Sequence, residues 1–377
     1  MHNRWLFPLI NLRRNLYMKR ILIFLLFLAL AGGLFAQVTW TGSVVAGLGA
    51  TKLDGEDDWA FGTGTGTILA NDNYRLRLNG TYTNDEGTAG GRFRVQSQGS
   101  ATSWTTGLSI PYASGWLSFA DGLLKVLGGR ISENEFNAVD SWNDGSSFFT
   151  SEYGLQAYVY PADIFRLGIG AKASSGVSEK KNMDGMTGWL GLGTDLNALS
   201  LAAQMEAGKD NVNAFLSVSF EGLSNLGLTL GAYAGMNNIT NFSDEGSLEA
   251  ALSVEYSGLL DAWLYVVPTL PQASGEDMFL GLNVGAEYAL GNITPGLDVN
   301  FVLQGGGYDG LFDWEETYAK DHSYVGFKPY VQVTPNSSSA YVKLGYLLAM
   351  DLSKIEPPNG KKGGMNHGAF IDFSWSF

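Results

Sequence analysis

Counted back from the terminal Phe377, every second residue of this chain is apolar: Trp375, Phe373, Ile371 and Ala369, with Ser376, Ser374 and Asp372 between them. Successive side chains of a β-strand point to opposite faces, so this segment has one greasy side and one wet side. Its length suits a strand that crosses a bilayer, which takes about 9–11 residues. The same alternation recurs along the chain. Residues 74–83 set Tyr74, Leu76, Leu78 and Tyr82 against Arg75, Arg77, Asn79 and Thr81. Residues 91–98 set Phe93 and Val95 against Arg92, Arg94, Gln96 and Gln98, and residues 165–174 set Phe165, Leu167, Ile169 and Ala171 against Arg166 and Lys172. Residues 38–49 and a series of runs from 199 to 350 repeat the pattern. Segments of about ten residues with this dyad period are the mark of a transmembrane barrel.

The N-terminus places such a barrel beyond the inner membrane. Met18-Lys19-Arg20 leads into an apolar run from Ile21 to Leu30 and then small residues ending at Ala36. This is the layout of a secretory signal peptide, and the run is shorter than the ~20 residues of a spanning helix. Cleavage after Ala36 is expected, which divides the chain into an N-terminal extension with signal peptide (1–36) and one barrel domain (37–377). Met1 to Tyr17 precede a complete signal peptide with its own methionine, so Met18 is the expected start. Beyond residue 36 nothing approaches the ~18 uninterrupted apolar residues of a membrane helix. Yet 45% of the chain is hydrophobic and 13% aromatic, so a membrane-embedded chain must satisfy its backbone as a closed barrel. Glycine, at 50 residues, suits strands that bend around a wall. With no cysteine, neither lipid acylation nor a disulfide framework is available. The mature part carries 18 basic against 37 acidic side chains and no basic patch, which argues against nucleic acid.

The expected fold is therefore an all-β, transmembrane, antiparallel β-barrel of about 18 strands (16–20), since residues 99–122 parse two ways. Short turns at 70–73, 161–164, 290–293 and 335–338 are assigned to the periplasmic side. Longer connections at 51–58, 235–246, 268–277, 305–322 and 351–366 are assigned to the outside. A barrel of this size exceeds the eight strands whose side chains fill the interior, so an aqueous lumen is expected. Trp40, Tyr74, Tyr82, Trp375 and Phe377 fit interfacial girdles.

Six arginines lie beyond residue 36, and four of them are Arg75, Arg77, Arg92 and Arg94. If their two strands pair across the 84–90 connection, all four occupy the wet face, with Arg94 beside Asn79. Residues 115–130 then read as a hairpin around Ala120-Asp121-Gly122, followed by an irregular stretch with Glu133, Glu135, Asp140 and Asp144. Trp116-Leu-Ser-Phe119, Asp121-Gly122 and Leu127-Gly-Gly-Arg130 resemble the general bacterial porins, with one extra glycine and two extra turn residues. The close match spans about forty residues. The resemblance implies a long loop, residues 131–150, folded into the barrel. Its acids (Glu133, Glu135, Asp140, Asp144) would face a cationic wall of Arg75, Arg77, Arg92, Arg94 and Arg130. Opposed charges across a narrow wet neck focus a transverse field, which sets pore selectivity. The alternative is that the arginines are structural, paired to acids in a plugged barrel. Ala369, Ile371, Phe373, Trp375 and Phe377 resemble the C-terminal signal that the barrel-assembly machinery reads in outer-membrane barrels.

These readings imply a passive, water-filled diffusion channel for small polar solutes and ions in the outer membrane of a diderm bacterium. By resemblance it is a homotrimer, bordered by outer-membrane lipid and surface glycolipid. The alternative function is a barrel without transport, such as an adhesin or structural protein. His322 and His367 sit in no hydrolytic motif, so no catalytic residue is assigned. The acid clusters at 54–58 and 313–316 lack the spacing of a calcium loop, so no metal or cofactor is assigned.

Overall fold

The computed structural model describes residues 36–52, 59–62, 74–98, 108–131, 136, 152–173, 185–223, 226–271, 279–303, 323–335, 339–352 and 365–377. Its strands are β1 (Ala36–Lys52), β2 (Ala60–Gly62), β3 (Tyr74–Asn84), β4 (Ala89–Gln98), β5 (Ser109–Phe119), β6 (Leu124–Ile131), β7 (Glu152–Ala162), β8 (Phe165–Ala173) and β9 (Met186–Leu196). They continue as β10 (Leu199–Ala207), β11 (Val212–Leu223), β12 (Leu228–Asn237), β13 (Ser247–Tyr256), β14 (Leu260–Pro271), β15 (Phe279–Tyr288), β16 (Ile293–Leu303), β17 (Tyr324–Val333), β18 (Ala340–Asp351) and β19 (Met365–Ser376). β1 pairs antiparallel with β3, each strand from β3 onward pairs antiparallel with the next, and β19 returns to β1 over Ser43↔Ser376 to Lys52↔His367. The three-residue β2 only laps onto the end of β1, at Gly49↔Gly62. The wall is therefore an 18-strand closed barrel, as the alternation predicts. Closure leaves no unpaired edge, which a lipid-embedded sheet requires.

The expectation of a short turn at 70–73 meets a different register. β1 pairs directly with β3, with Ala46 opposite Tyr74 and Ala36 opposite Asn84, so no wall strand stands between them. Residues 70–73 themselves lie outside the described residues. Of the stretch 99–122, residues 108–122 are described, and they hold β5 followed by the expected turn. Ala120 and Asp121 both adopt positive φ (51° and 55°) there, and Gly122 follows at 93°. Short links such as Asn197–Ala198 and Asp163–Ile164 join strands at one end of the barrel.

Alternation explains which side chains face lipid. Leu155, Leu167, Ile169, Leu190, Leu216 and Leu344 are all exposed on the outer surface although large and apolar. Around the short-turn end the exposed outer residues turn aromatic: Trp40, Phe119, Phe165, Tyr256, Tyr288, Trp375 and Phe377. Such rings suit the boundary between hydrocarbon and headgroups.

The β1–β19 seam rests on one glycine. The Gly42 N–H donates to the Phe377 carbonyl at 2.7 Å and its carbonyl accepts from the Phe377 N–H at 2.9 Å. The Phe377 ring lies over Gly42, where a Cβ would stand 2.3 Å from a ring carbon and 2.9 Å from the Arg77 carbonyl oxygen. Gly42→Leu is expected to lower the urea midpoint by an amount equivalent to about 1–3 kcal/mol, the cost of overpacking. Gly115→Ala, whose Cβ would meet only Gly90 O at 3.6 Å, is the control and should unfold as the parent does.

Candidate channel lining

The link between β3 and β4 is shaped by its own side chains. Asn84 Oδ1 accepts the Ala89 N–H at 2.9 Å, Asn84 Nδ2 donates to Thr88 Oγ1 at 2.9 Å, and Gly87 supplies φ of 70°. This turn fixes the register Asn79↔Arg94, Thr81↔Arg92, Arg77↔Gln96 and Arg75↔Gln98. Arg77, Arg92 and Arg94 thus share the inward row, and Arg75 falls in register with them. Arg94 Nε donates to Asn79 Oδ1 at 2.7 Å and Arg77 Nε to Gln96 Oε1 at 3.1 Å. On the next strand Tyr112 is nearly buried, its hydroxyl donating to Asn79 Oδ1 at 3.2 Å. The guanidinium carbons of Arg92 and Arg94 stand 5.2 and 4.8 Å from its ring centroid. A guanidinium at this distance from an aromatic face is attracted by the ring quadrupole while keeping its full charge. The result is a fixed cationic patch on the lumen wall, stiffened by amides and one ring.

Arg130 does not join it. Arg130 pairs with Ala113 and Tyr153, in the outward row that also holds Phe93, and its Nη1 donates to the Ile110 carbonyl at 2.8 Å. Leu127 is inward and 2% exposed. With one glycine after it, the arginine would fall two positions on, on the same face. The second glycine makes it three, and a single-residue step in a period-two strand reverses the side.

Glu133, Glu135, Asp140 and Asp144 lie outside the described residues. Phe136, from the same connection, is described and sits inside the barrel. It is 1% exposed, with ring centroids 5.7 Å from both Tyr158 and Trp189. Ser217 Oγ on β11 donates to its carbonyl at 3.3 Å. Gly168 and Gly191 form the floor beneath it, where a Cβ would come within 2.5 and 2.7 Å of the ring. Sequence reading gave Phe136 no role, because nothing local marks a lone loop aromatic as buried.

Further inward charges, Arg166 and Lys172 of the wet face among them, find partners across the ladders. Lys172 and Glu206 form an ion pair at 3.4 Å, with Gln204 donating to the same carboxylate at 3.2 Å, and Arg166 pairs with Asp195. Asp298 stands directly opposite Lys328, and Lys343 opposite Asp372. Only the barrel register brings these partners together. Ile371, Phe373, Trp375 and Phe377 are exposed on the outer surface, and Ala369 shares their face. His322 lies outside the described residues. His367 faces outward, hydrogen-bonded to the Tyr346 hydroxyl and edge-on to Trp59 at 5.0 Å. No helix among the described residues is long and apolar enough to cross a membrane. Nor do those residues hold a group of three or more metal-ligating side chains.

Similarity to known proteins lies in the fold. No protein-family model matches the chain, and no curated protein does. Solved structures of the Rhodopseudomonas blastica porin superpose along most of it. A variant of that porin with two introduced tryptophans aligns over 90% of this chain and 100% of its own, at 15% identity and a TM-score of 0.51. A variant with two basic and two acidic residues changed to alanine gives the same figures. A structure described under asymmetric conductivity of engineered proteins does likewise. At this identity the likeness establishes a porin-type barrel fold.

Proposed function

We propose that this chain is an outer-membrane porin, a passive water-filled channel for small polar solutes and ions. The observation that carries the reading is the inward cationic patch of Arg77, Arg92 and Arg94, with Arg75 in the same row, inside a closed 18-strand wall with a lipid-facing outer surface. Charge fixed on an inner wall is useful where ions pass, and it tunes which ions pass. The acids Glu133, Glu135, Asp140 and Asp144 would face this patch from the connection that carries Phe136. The signal peptide ending at Ala36 delivers the chain to the periplasm, the outward row from Ala369 to Phe377 addresses it to the assembly machinery, and three copies associate in the membrane. The arginines act on permeating ions and not as general acids or nucleophiles, so the protein is no enzyme.

Refolded protein added to a planar bilayer tests the reading. Stable current steps on the nanosiemens scale are the expected result. Silence across many verified insertions would instead favour a surface barrel without transport.

A further inference from the structure

The inner face of β15–β19 carries a second charged area, and its construction differs from that of the arginine patch. Two glycines on this wall serve as seats for aromatic rings. Tyr330 crosses onto Gly296, directly opposite in the ladder, and Phe370 crosses onto Gly345. A Cβ at Gly296 or Gly345 would come within 2.3 or 2.2 Å of those rings, so both lie close against the backbone. A lysine then rests over each. Lys343 Nζ is 4.1 Å from the Tyr330 centroid, and Lys328 Nζ is 5.2 Å from that of Phe370. The Tyr330 hydroxyl donates to Glu287 at 2.8 Å, which fixes the ring in its plane.

The consequence concerns the acids. Asp298 faces Lys328 across one ladder and Asp372 faces Lys343 across another. Directly opposed side chains of opposite charge normally close into a pair, since their Cβ atoms are only about 4.5–5.5 Å apart. Neither pair closes here: no described carboxylate forms an ion pair with Lys328 or Lys343, and no described donor hydrogen-bonds Asp298 or Asp372. The rings hold the ammonium groups by their faces, an attraction that leaves the positive charge unneutralised. The wall thus displays ammonium and carboxylate groups side by side and apart, both facing the lumen.

We infer that this arrangement is a binding step for small zwitterionic solutes, of the free α-amino acid class. The solute's carboxylate meets Lys343 or Lys328, and its ammonium meets Asp372 or Asp298. A solute with one charge satisfies half of the site and leaves the other half to water. A neutral solute of the same size gains neither contact. The inference rests on the proposal that the lumen conducts.

Four labelled solutes of nearly equal size separate the possibilities: alanine (zwitterion), alaninamide (cation), lactate (anion) and lactamide (neutral). Entry of each into vesicles containing the full-length processed protein is compared with protein-free vesicles. Alanine should enter several-fold faster than lactamide, with a rate that saturates. Lys343→Met with Asp372→Asn, and separately Lys328→Met with Asp298→Asn, should bring the ratio toward one, in preparations whose barrel is verified by heat-modifiable mobility. Equal entry of alanine and lactamide in the parent protein overturns the zwitterion site while leaving the channel intact. So does fastest entry of lactate or alaninamide, or an alanine preference that survives both double variants. Entry of no solute above the protein-free level overturns the channel reading itself, and the inference with it.

Discussion

Changing Arg75, Arg77, Arg92 and Arg94 together to glutamine moves the reversal potential in a salt gradient toward that of a cation-selective pore. The direction follows from the register of β3 and β4, which sets Arg77, Arg92 and Arg94 inward with Arg75 in step. In water a unit charge ~10 Å from a passing ion changes its energy by about 0.4 kcal/mol. Four such charges acting together come to about 1.6 kcal/mol, roughly a tenfold change in the permeability of each ion at low salt, upward for cations and downward for anions. Near 0.1 M salt the Debye length is about 10 Å, which cuts the effect to roughly two- to threefold. Glutamine keeps the length and amide donors that Asn79 and Gln96 engage, so the wall should fold as before. An unchanged reversal potential at both salt concentrations would remove these side chains from the conduction path.

Phe136→Ala is expected to cost about 3–5 kcal/mol of unfolding free energy, the range for truncating a fully buried aromatic. The cost should sit high in that range because of what surrounds the ring. Tyr158 and Trp189 are themselves buried and packed on each other at 5.8 Å, and Gly168 and Gly191 have no side chain with which to fill the vacated space. Urea unfolding in detergent, followed by tryptophan fluorescence, measures it. Phe136→Leu should recover a large part of the loss. A variant that unfolds with the parent's midpoint would mean that Phe136 does not hold its connection against the inner wall.

Much of this was legible in the sequence because a barrel strand states its two faces in its own residues. The alternation of Trp375, Phe373, Ile371 and Ala369 with serine and aspartate needs no knowledge of neighbouring strands, and the exposed outer row of β19 follows from it. The arginine patch was legible for a related reason: β3 and β4 are joined by a short turn, so their register is a local property. Arg130 was set on the cationic wall by resemblance, whereas in a strand every residue counts toward parity and the extra glycine turns it outward. The Lys328–Lys343–Asp298–Asp372 area was out of reach. Its members come from four strands whose relative heights depend on the register of each turn between them, and none stands out within its own strand. The turn expected at 70–73 rested on residue chemistry alone and lies outside the described residues, while β1 and β3 prove to be direct partners.

The glycine seats bear on the calibre of the tube. A ring that lies flat on backbone takes only its own thickness from the bore, whereas the same ring propped upright by a methyl group beneath it would reach toward the axis. Tyr330 on Gly296 and Phe370 on Gly345 therefore let this wall carry bulky aromatics at little expense in open cross-section. How wide the passage stays is decided there by two positions that contribute no side chain at all.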